Sequence, residues 1–386
     1  MKFITAQEYC EKIFDGTHAS PDYYETGFPL VTSKHLKPFG LDLGSTKKIS
    51  KADFDSINKR SQVSQWDILF SMIGTVGRLY WEKQSNIAYA VKNIGVFSCQ
   101  NRAKAECLYY YLQSPIAKRH IDTMLNGAVQ QFMSLSALRN FPVPENLIEY
   151  YPQVQVLSSI DQKIELNNQI NDYLMDFLRQ LYKGWFVDYI PFGGERPANW
   201  EKGTLKDILA LKKNTIRQGE RSELPYLPID VMPMNSFALS ELRPNSEAQS
   251  SLITFNTNDI LIGAMRVYFH RVLPAPLEGI TRSTCFVLSP KSKLHFAYGL
   301  LTCDLDTCID FADSRSKGST MPYAVWEGGM GDFSIDLPTE DILIKFDEIA
   351  RPLIDRLQQS YFENKTLSEL RDFLLPKLLS GEIDLS

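Results

Sequence analysis

The sequence predicts an α+β protein: two globular mixed α/β blocks joined by a two-helix antiparallel coiled coil, with the second half of the chain repeating the first. Three observations predict it. Two stretches place apolar residues at alternating steps of three and four, the spacing of a seam along one helix face. The two seams coincide when one is shifted by half of the 386-residue chain. Outside them lie short apolar, often β-branched runs punctuated by Gly, Pro, Asn and Ser, which read as strands.

The first block, 1–150, holds the strand-like runs "DILFSMIG" and "NIGVFSC" and one helical stretch, "AECLYYYLQSPIAKRHID". The first long spacer helix, 151–190, follows. Its seam is Leu157, Ile160, Ile164, Leu174, Leu178, Leu181 and Trp185, and the same rhythm lands on Asn167 and Asn171. It begins after Pro152, since Pro is tolerated in a first helical turn, and ends near Gly184, before the linker-like "DYIPFGGERPANW". The second block, 191–338, repeats the pattern with "DILIGAM", "TCFVLS" and the helical "KLHFAYGLLTCDLDTCIDFAD". The second long helix, within 339–386, carries Ala350, Leu353, Leu357, Leu367, Leu374 and Leu378, with Ser360, Asn364 and Arg371 at the intervening seam positions. It is expected to begin near Pro352 and to end at Gly381.

A shift of 193 residues lays Ile160 on Leu353, Asn171 on Asn364, Leu174 on Leu367, Leu181 on Leu374 and Trp185 on Leu378. Similar offsets match "WDILFSMIG" to "NDILIGAMR", "FPLVTS" to "LPYLPI" and "NFPVPE" to "SIDLPTE". Four matches in the same order mark an internal duplication. Each seam needs a cover, and the other seam is the nearest one. Two copies related by a pseudo-two-fold axis would pack antiparallel. Seam amides at Asn167, Asn171 and Asn364 would penalise wrong registers, because a misplaced amide is buried without a mate; the plainer alternative is a frayed, hydrated part of the seam. A helix of roughly 33 residues is about 50 Å long. Two similar heads on such a spacer suit a split DNA site, since one major-groove face recurs about every 34–36 Å.

Composition sets the limits. Hydrophobic content of 44% and charge of 23% belong to an ordinary globular protein. No apolar run of about 18 residues exists, so no membrane span is expected, and "MKFITAQEYCEKIF" lacks the apolar core of a signal peptide. The six cysteines form no CxxC pair and the five histidines do not cluster at ligand spacing, so reduced thiols in a cytoplasmic protein and no metal site are expected. The net charge of −5 hides an asymmetry: residues 1–150 carry +3 and the remainder −8. There is no GxxxxGK[ST] phosphate loop and no GxGxxG; Gly74-x-x-Gly77 in "SMIGTVGR" reads as a turn.

In the stretches "WDILFSMIGTVGRLY", "LRNFPVPE", "IDQKIELNNQIN" with "LYKGWFVDY", "ILIGAMRVYFHRVLPAP" and the closing "LRDFLLPKLLSGEI", the chain resembles the specificity (S) subunits of type I restriction-modification enzymes, and the resemblance runs its whole length. The resemblance implies that the blocks are target recognition domains, each reading one part of a bipartite, asymmetric double-stranded DNA sequence. It implies that the helices set the spacer and dock two adenine methyltransferase (M) subunits, which ATP-driven restriction/translocase (R) subunits join. It also implies no catalytic residue and no cofactor in this chain, S-adenosylmethionine and ATP with Mg being held by partner subunits, and a role in phage defence. A coiled-coil scaffold that joins two partners and ignores DNA is the alternative; an enzyme would need a convergent cluster of ionisable groups, which the sequence does not offer.

Phosphate contact wants Lys or Arg; base readout wants Arg or Lys for guanine and Asn or Gln for adenine. On that basis the first block offers Lys34, His35, Lys37, Lys47, Lys48, Lys51, Arg60, Arg78 and Lys83, with Asn126, Gln130 and Gln131 in "NGAVQQFMS". The second offers Lys212, Lys213, Arg217, Arg221, Arg266, His270, Arg271, Arg282, Arg315 and Lys317. "NGAVQQFMS" aligns with "SKGSTMPYA", since Gly127 and Gly318 are 191 apart, so a Gly-opened polar loop is expected at the same place in both blocks.

Overall fold

The computed structural model describes residues 2–127, 131–239, 241–249 and 251–383. The chain forms two compact units, Met1–Gln162 with Ser368–Ser386, and Lys163–Leu367. Each unit therefore takes part of both long helices, which run Tyr151–Phe186 and Glu340–Ser380.

The first unit is built on a four-stranded antiparallel sheet in the order Lys12–Asp15, Ile94–Ser98, Ile68–Ser71, Leu79–Trp81. The central strand Ile68–Ser71 is buried at all four positions. Burial on both faces explains why it reads as an unbroken apolar run instead of an alternating one. A second sheet joins Lys47–Ile49, Phe28–Val31 and Ala90–Val91. A two-stranded ribbon pairs Phe3–Thr5 with Pro142–Pro144. Its core takes Ile68, Phe70 and Phe97 from the sheet, Leu108 and Tyr111 from the helix Arg102–Gln113, Val154 and Leu157 from the first long helix, and Leu375, Leu378 and Leu379 from the second.

The second unit repeats this plan. Its four-stranded sheet runs Leu209–Leu211, Cys285–Pro290, Ile260–Gly263, Val272–Pro274. Ile68 faces Phe97 in the first unit, and Ile260 faces Leu288 in the second, the same register one repeat later. The match of "FPLVTS" with "LPYLPI" also holds in space. Leu30 bridges Ala90 in parallel and Lys47 antiparallel; Tyr226 bridges Ile280 in parallel and Arg243 antiparallel. In the first unit these residues form a strand, in the second only isolated bridges.

Within the second unit the two long helices pack antiparallel. Asn167 donates from Nδ2 to Asn364 Oδ1 at 2.8 Å, and eighteen residues further along the first helix Trp185 meets Phe346, eighteen residues earlier on the second. The first unit has the same sense: Asp161 binds Arg371 at 2.9 Å, while Val154 and Leu157 share a core with Leu375, Leu378 and Leu379.

Two expectations are corrected. The second long helix does not begin near Pro352 but at Glu340, so Pro352 lies in its interior. Burial of Leu343, Phe346 and Ala350 holds the first turns helical despite the lost N–H. Each short helical stretch also splits in two. Ser114, extended at ψ 155°, separates Arg102–Gln113 from Pro115–Met124 and caps the latter, with Pro115 in its first turn. Cys303 ends the corresponding helix of the second unit, and Asp306–Ser314 begins after Asp304 and Leu305.

A candidate nucleic-acid interface

In both units the central strand leads into an exposed turn that returns to the next strand. In the first, Gly74 and Gly77 take positive φ (80° and 89°), a region that favours glycine. The Ser71 hydroxyl donates to Thr75 O at 2.6 Å and accepts the Arg78 N–H at 2.7 Å, which fixes where Arg78 leaves the turn. In the second unit Arg266 and His270 bracket the turn in left-handed backbone.

A second loop closes beside each turn. Asn126 and Phe132 exchange two backbone hydrogen bonds of 2.9 Å, as do Lys317 and Tyr323. Each loop hangs from the turn: Met133 N–H donates to Met72 O, and Ala324 N–H to Ala264 O. Gly127 and Gly318 open the loops at φ 94° and 90°, and a Cβ on Gly318 would sit 3.1 Å from Met321 O. The Arg266 N–H reaches Pro322 O at 2.7 Å, so Arg266, Lys317 and Tyr323 are brought to one surface. Met321, Tyr323 and Tyr268 are about half exposed there, as is Phe132 in the first unit. Arg315 lies over the Phe311 ring at 3.6 Å and Arg271 over Phe269 at 4.9 Å.

Elsewhere in the first unit Lys47, Lys48 and Lys51 gather beside two exposed tyrosines. Lys47 sits 4.1 Å over the Tyr23 ring, Lys48 O accepts the Tyr24 N–H, and Lys51, which opens the helix Lys51–Ser61, pairs with Asp55 at 3.1 Å. Cations interleaved with aromatic faces suit a nucleic-acid backbone and bases together. Lys37 and Arg78 line a cleft of about 580 Å³, joined by Lys118 and Gln113 and floored by the Arg371–Asp161 pair.

The remaining candidates are scattered. Lys34, Lys83, Gln131, Lys213 and Arg217 are exposed; Gln130 lies outside the described residues. Arg60 is held by Asp15 at 3.6 Å, and Lys212 by buried Asp259 at 2.6 Å, so the Lys212 charge is committed inside the fold. Arg221 pairs with Glu223. Arg282 is half-buried, with its Nε lacking a partner among the described residues. His35 is buried and accepts the Thr32 N–H at 2.8 Å. His270 is buried too. Its Nε2 is 2.9 Å from Asp304, which also takes Arg179 of the first long helix at 2.7 Å. Burial works against protonation of His270, but the hydrogen bond and charge of Asp304 outweigh it and raise its pKa. In the repeat, His270 and Asp304 stand where the first unit has Gly77 and Gln113.

Sequence reasoning missed Lys118, because it lies within the helix Pro115–Met124 and nothing in a helical stretch signals that a charge faces a cleft. It missed Tyr23 and Tyr24, whose exposure no local pattern signals. Among the described residues no group of three or more His, Cys, Asp or Glu is placed to hold a metal ion, and no helix is long and apolar enough to cross a membrane.

A family model described as type I restriction modification DNA specificity domain matches residues 17–175. The type I restriction enzyme MjaIX specificity subunit of Methanocaldococcus jannaschii is 24% identical in a match covering 72% of this chain and 69% of that protein. The type I restriction enzyme HindI specificity subunit of Haemophilus influenzae is 20% identical, over 60% of this chain and 66% of that protein. The chain thus spans about two thirds of each relative's length. The crystal structure of a type I restriction-modification system S subunit from M. genitalium superposes with a TM-score of 0.56 at 15% identity, over 100% of this chain and 96% of that one, a likeness of fold.

Proposed function

Because this chain belongs to the family of type I restriction-modification specificity subunits, we propose that each unit reads one part of a split, asymmetric DNA sequence while the long helices dock two methyltransferase subunits. Restriction/translocase subunits join through those partners, and the partners hold S-adenosylmethionine and ATP with Mg. One observation carries the reading. The two units share strand order and register but present different side chains at the strand-exit turn and its neighbouring loop. A repeated scaffold with unlike surfaces suits recognition of two unlike sequences, whereas a plain scaffold protein has no use for the difference. The family's specificity subunits are non-catalytic components, and the reading needs no catalytic group here.

Docking is supported by the helices' outer faces. Leu166, Ile170, Tyr173 and Phe177 recur at steps of three and four on the first long helix, with Tyr173 74% and Phe177 51% exposed. Leu370 and Phe373 on the second are 44% and 58% exposed. A stripe of this kind marks a protein contact.

The test is the host's methylation pattern. Deleting the gene should abolish adenine methylation at one gapped motif. Replacing Tyr173 and Phe177 together by Asp should remove the same methylation and co-purification with the methyltransferase subunit, with the chain still folded by circular dichroism. Survival of the motif after deletion would end the reading.

A further inference from the structure

We infer that Arg78 and Arg271 are one duplicated phosphate contact, gripping the DNA backbone in each half-site instead of reading a base; the inference rests on the DNA-reading function proposed above. The two residues occupy the same backbone position. The Ser71 N–H donates to Arg78 O, and the Gly263 N–H to Arg271 O, both at 2.9 Å. The turns between differ in length and in course: one runs through Gly74 and Gly77, the other through a short 3-10 turn at Val267–Phe269. Each ends on an arginine.

Neither guanidinium has a hydrogen-bond or ion-pair partner among the described residues. Most arginines of this chain are spoken for: Arg179 by Asp304, Arg243 by Asp230, Arg356 by Glu363, Arg371 by Asp161. Arg271 Nε is moreover buried without a mate. A buried donor with no acceptor is a group waiting for one, and an arginine that meets only an aromatic ring, as Arg271 meets Phe269, keeps its fork free for a bidentate anion. Around Arg78 the electrostatics point the same way. Lys37 and Lys118 face the same cleft and also lack partners among the described residues, while Asp161 and Asp372 beside them are held by Arg371.

The anion is a phosphate diester and not a guanine edge, for a reason that lies in the repeat. Two units that read unlike sequences have no cause to keep one base-reading residue in common. Phosphates recur at every step of every sequence, so a contact to them is the one that both units share.

The experiment uses the enzyme assembled with its methyltransferase subunits. Affinity for the cognate duplex and for a scrambled one is measured between about 50 and 200 mM salt, and the methylated motif is sequenced. Arg78→Ala and Arg271→Ala should each lower the slope of log affinity against log salt by about 0.9, equally on both duplexes, with the motif unchanged. Arg78→Lys and Arg271→Lys should keep slope and motif alike, since a point charge serves a phosphate but not the forked geometry of a guanine; these variants carry the test if the alanine forms do not assemble. An unchanged slope in the alanine forms, or a motif altered at any base in any variant, overturns the inference. Absence of salt-dependent DNA binding by the unaltered enzyme would instead overturn the proposed function.

Discussion

His270 shows how a residue that reads as a surface candidate in sequence becomes part of the interior. In "RVYFHRV" His270 is a candidate for DNA contact by residue type, beside Arg266 and Arg271. In the fold, His270 is 6% exposed, and its ring bridges Asp304 at 2.9 Å and Asp306 at 3.4 Å. The bond that raises its pKa above 6.5 also stabilises the folded state. The raised value means that the folded form holds the proton more tightly than the unfolded chain. The stabilisation is complete below about pH 6.5 and is lost as pH rises through the raised value. Thermal unfolding across pH 5.5–8.5 should show the second unit weakening over that window, and His270→Gln should flatten the dependence at a cost of about 2 kcal/mol at low pH, the range of a hydrogen bond to a charged group. An equal pH dependence in His270→Gln would place the proton elsewhere.

At the scale of elements, the long helices are the most consequential pair, and their polar seam residues behave unequally. Asn167 is fully buried and bonded to Asn364, and Asn364 in turn donates to Asn168 at 3.0 Å. Arg356 reaches Asn167 Oδ1 at 3.4 Å, which satisfies the amide from the other side. Asn171 is buried with its Oδ1 unpartnered among the described residues. We propose that Asn167 with Asn364 fixes the register and that Asn171 only weakens the seam. Asn167→Ala should then cost about 1–3 kcal/mol by orphaning the Asn364 acceptor. Asn171→Leu should raise stability by about 1 kcal/mol, because a lone buried amide gives way to an apolar side chain. Denaturant titration of both variants decides it; a destabilised Asn171→Leu would show that Asn171 has a structural mate.

For the whole molecule, the halves of the sequence and the units of the structure are different divisions. The first unit is completed by Ser368–Ser386 from the far end of the chain, whose Leu375, Leu378 and Leu379 join its core. The second unit likewise takes Leu178 and Phe186 from the first long helix and Phe346 from the second, but its globular block is one continuous stretch between those helices. That stretch is the natural one to exchange. Replacing 191–338 by the corresponding stretch of a relative with another target should change one part of the methylated motif and leave the other as it was. A graft that altered both parts would refute independent reading by the two units.

The sequence by itself determined the repeat, the two seams and the central strands. Those depend on short-range periodicity, which burial imposes on local spacing: the "ILF" of "DILFS" and the "ILI" of "DILIG" are apolar at successive positions because both faces are covered. It also placed Arg78 and Arg271 among the candidates through residue type alone. What tertiary structure decided is which charges are free. Lys212 and Arg217 look alike in sequence, yet Lys212 is locked to Asp259 forty-seven residues away, while Lys118, hidden in a helix, faces the cleft with Arg78. Proline at 352 reads as a helix start, and only the burial of the preceding apolar face carried the helix through it. Pairing of charges and capture of a turn by distant side chains depend on residues far apart in the chain, so no local pattern records them.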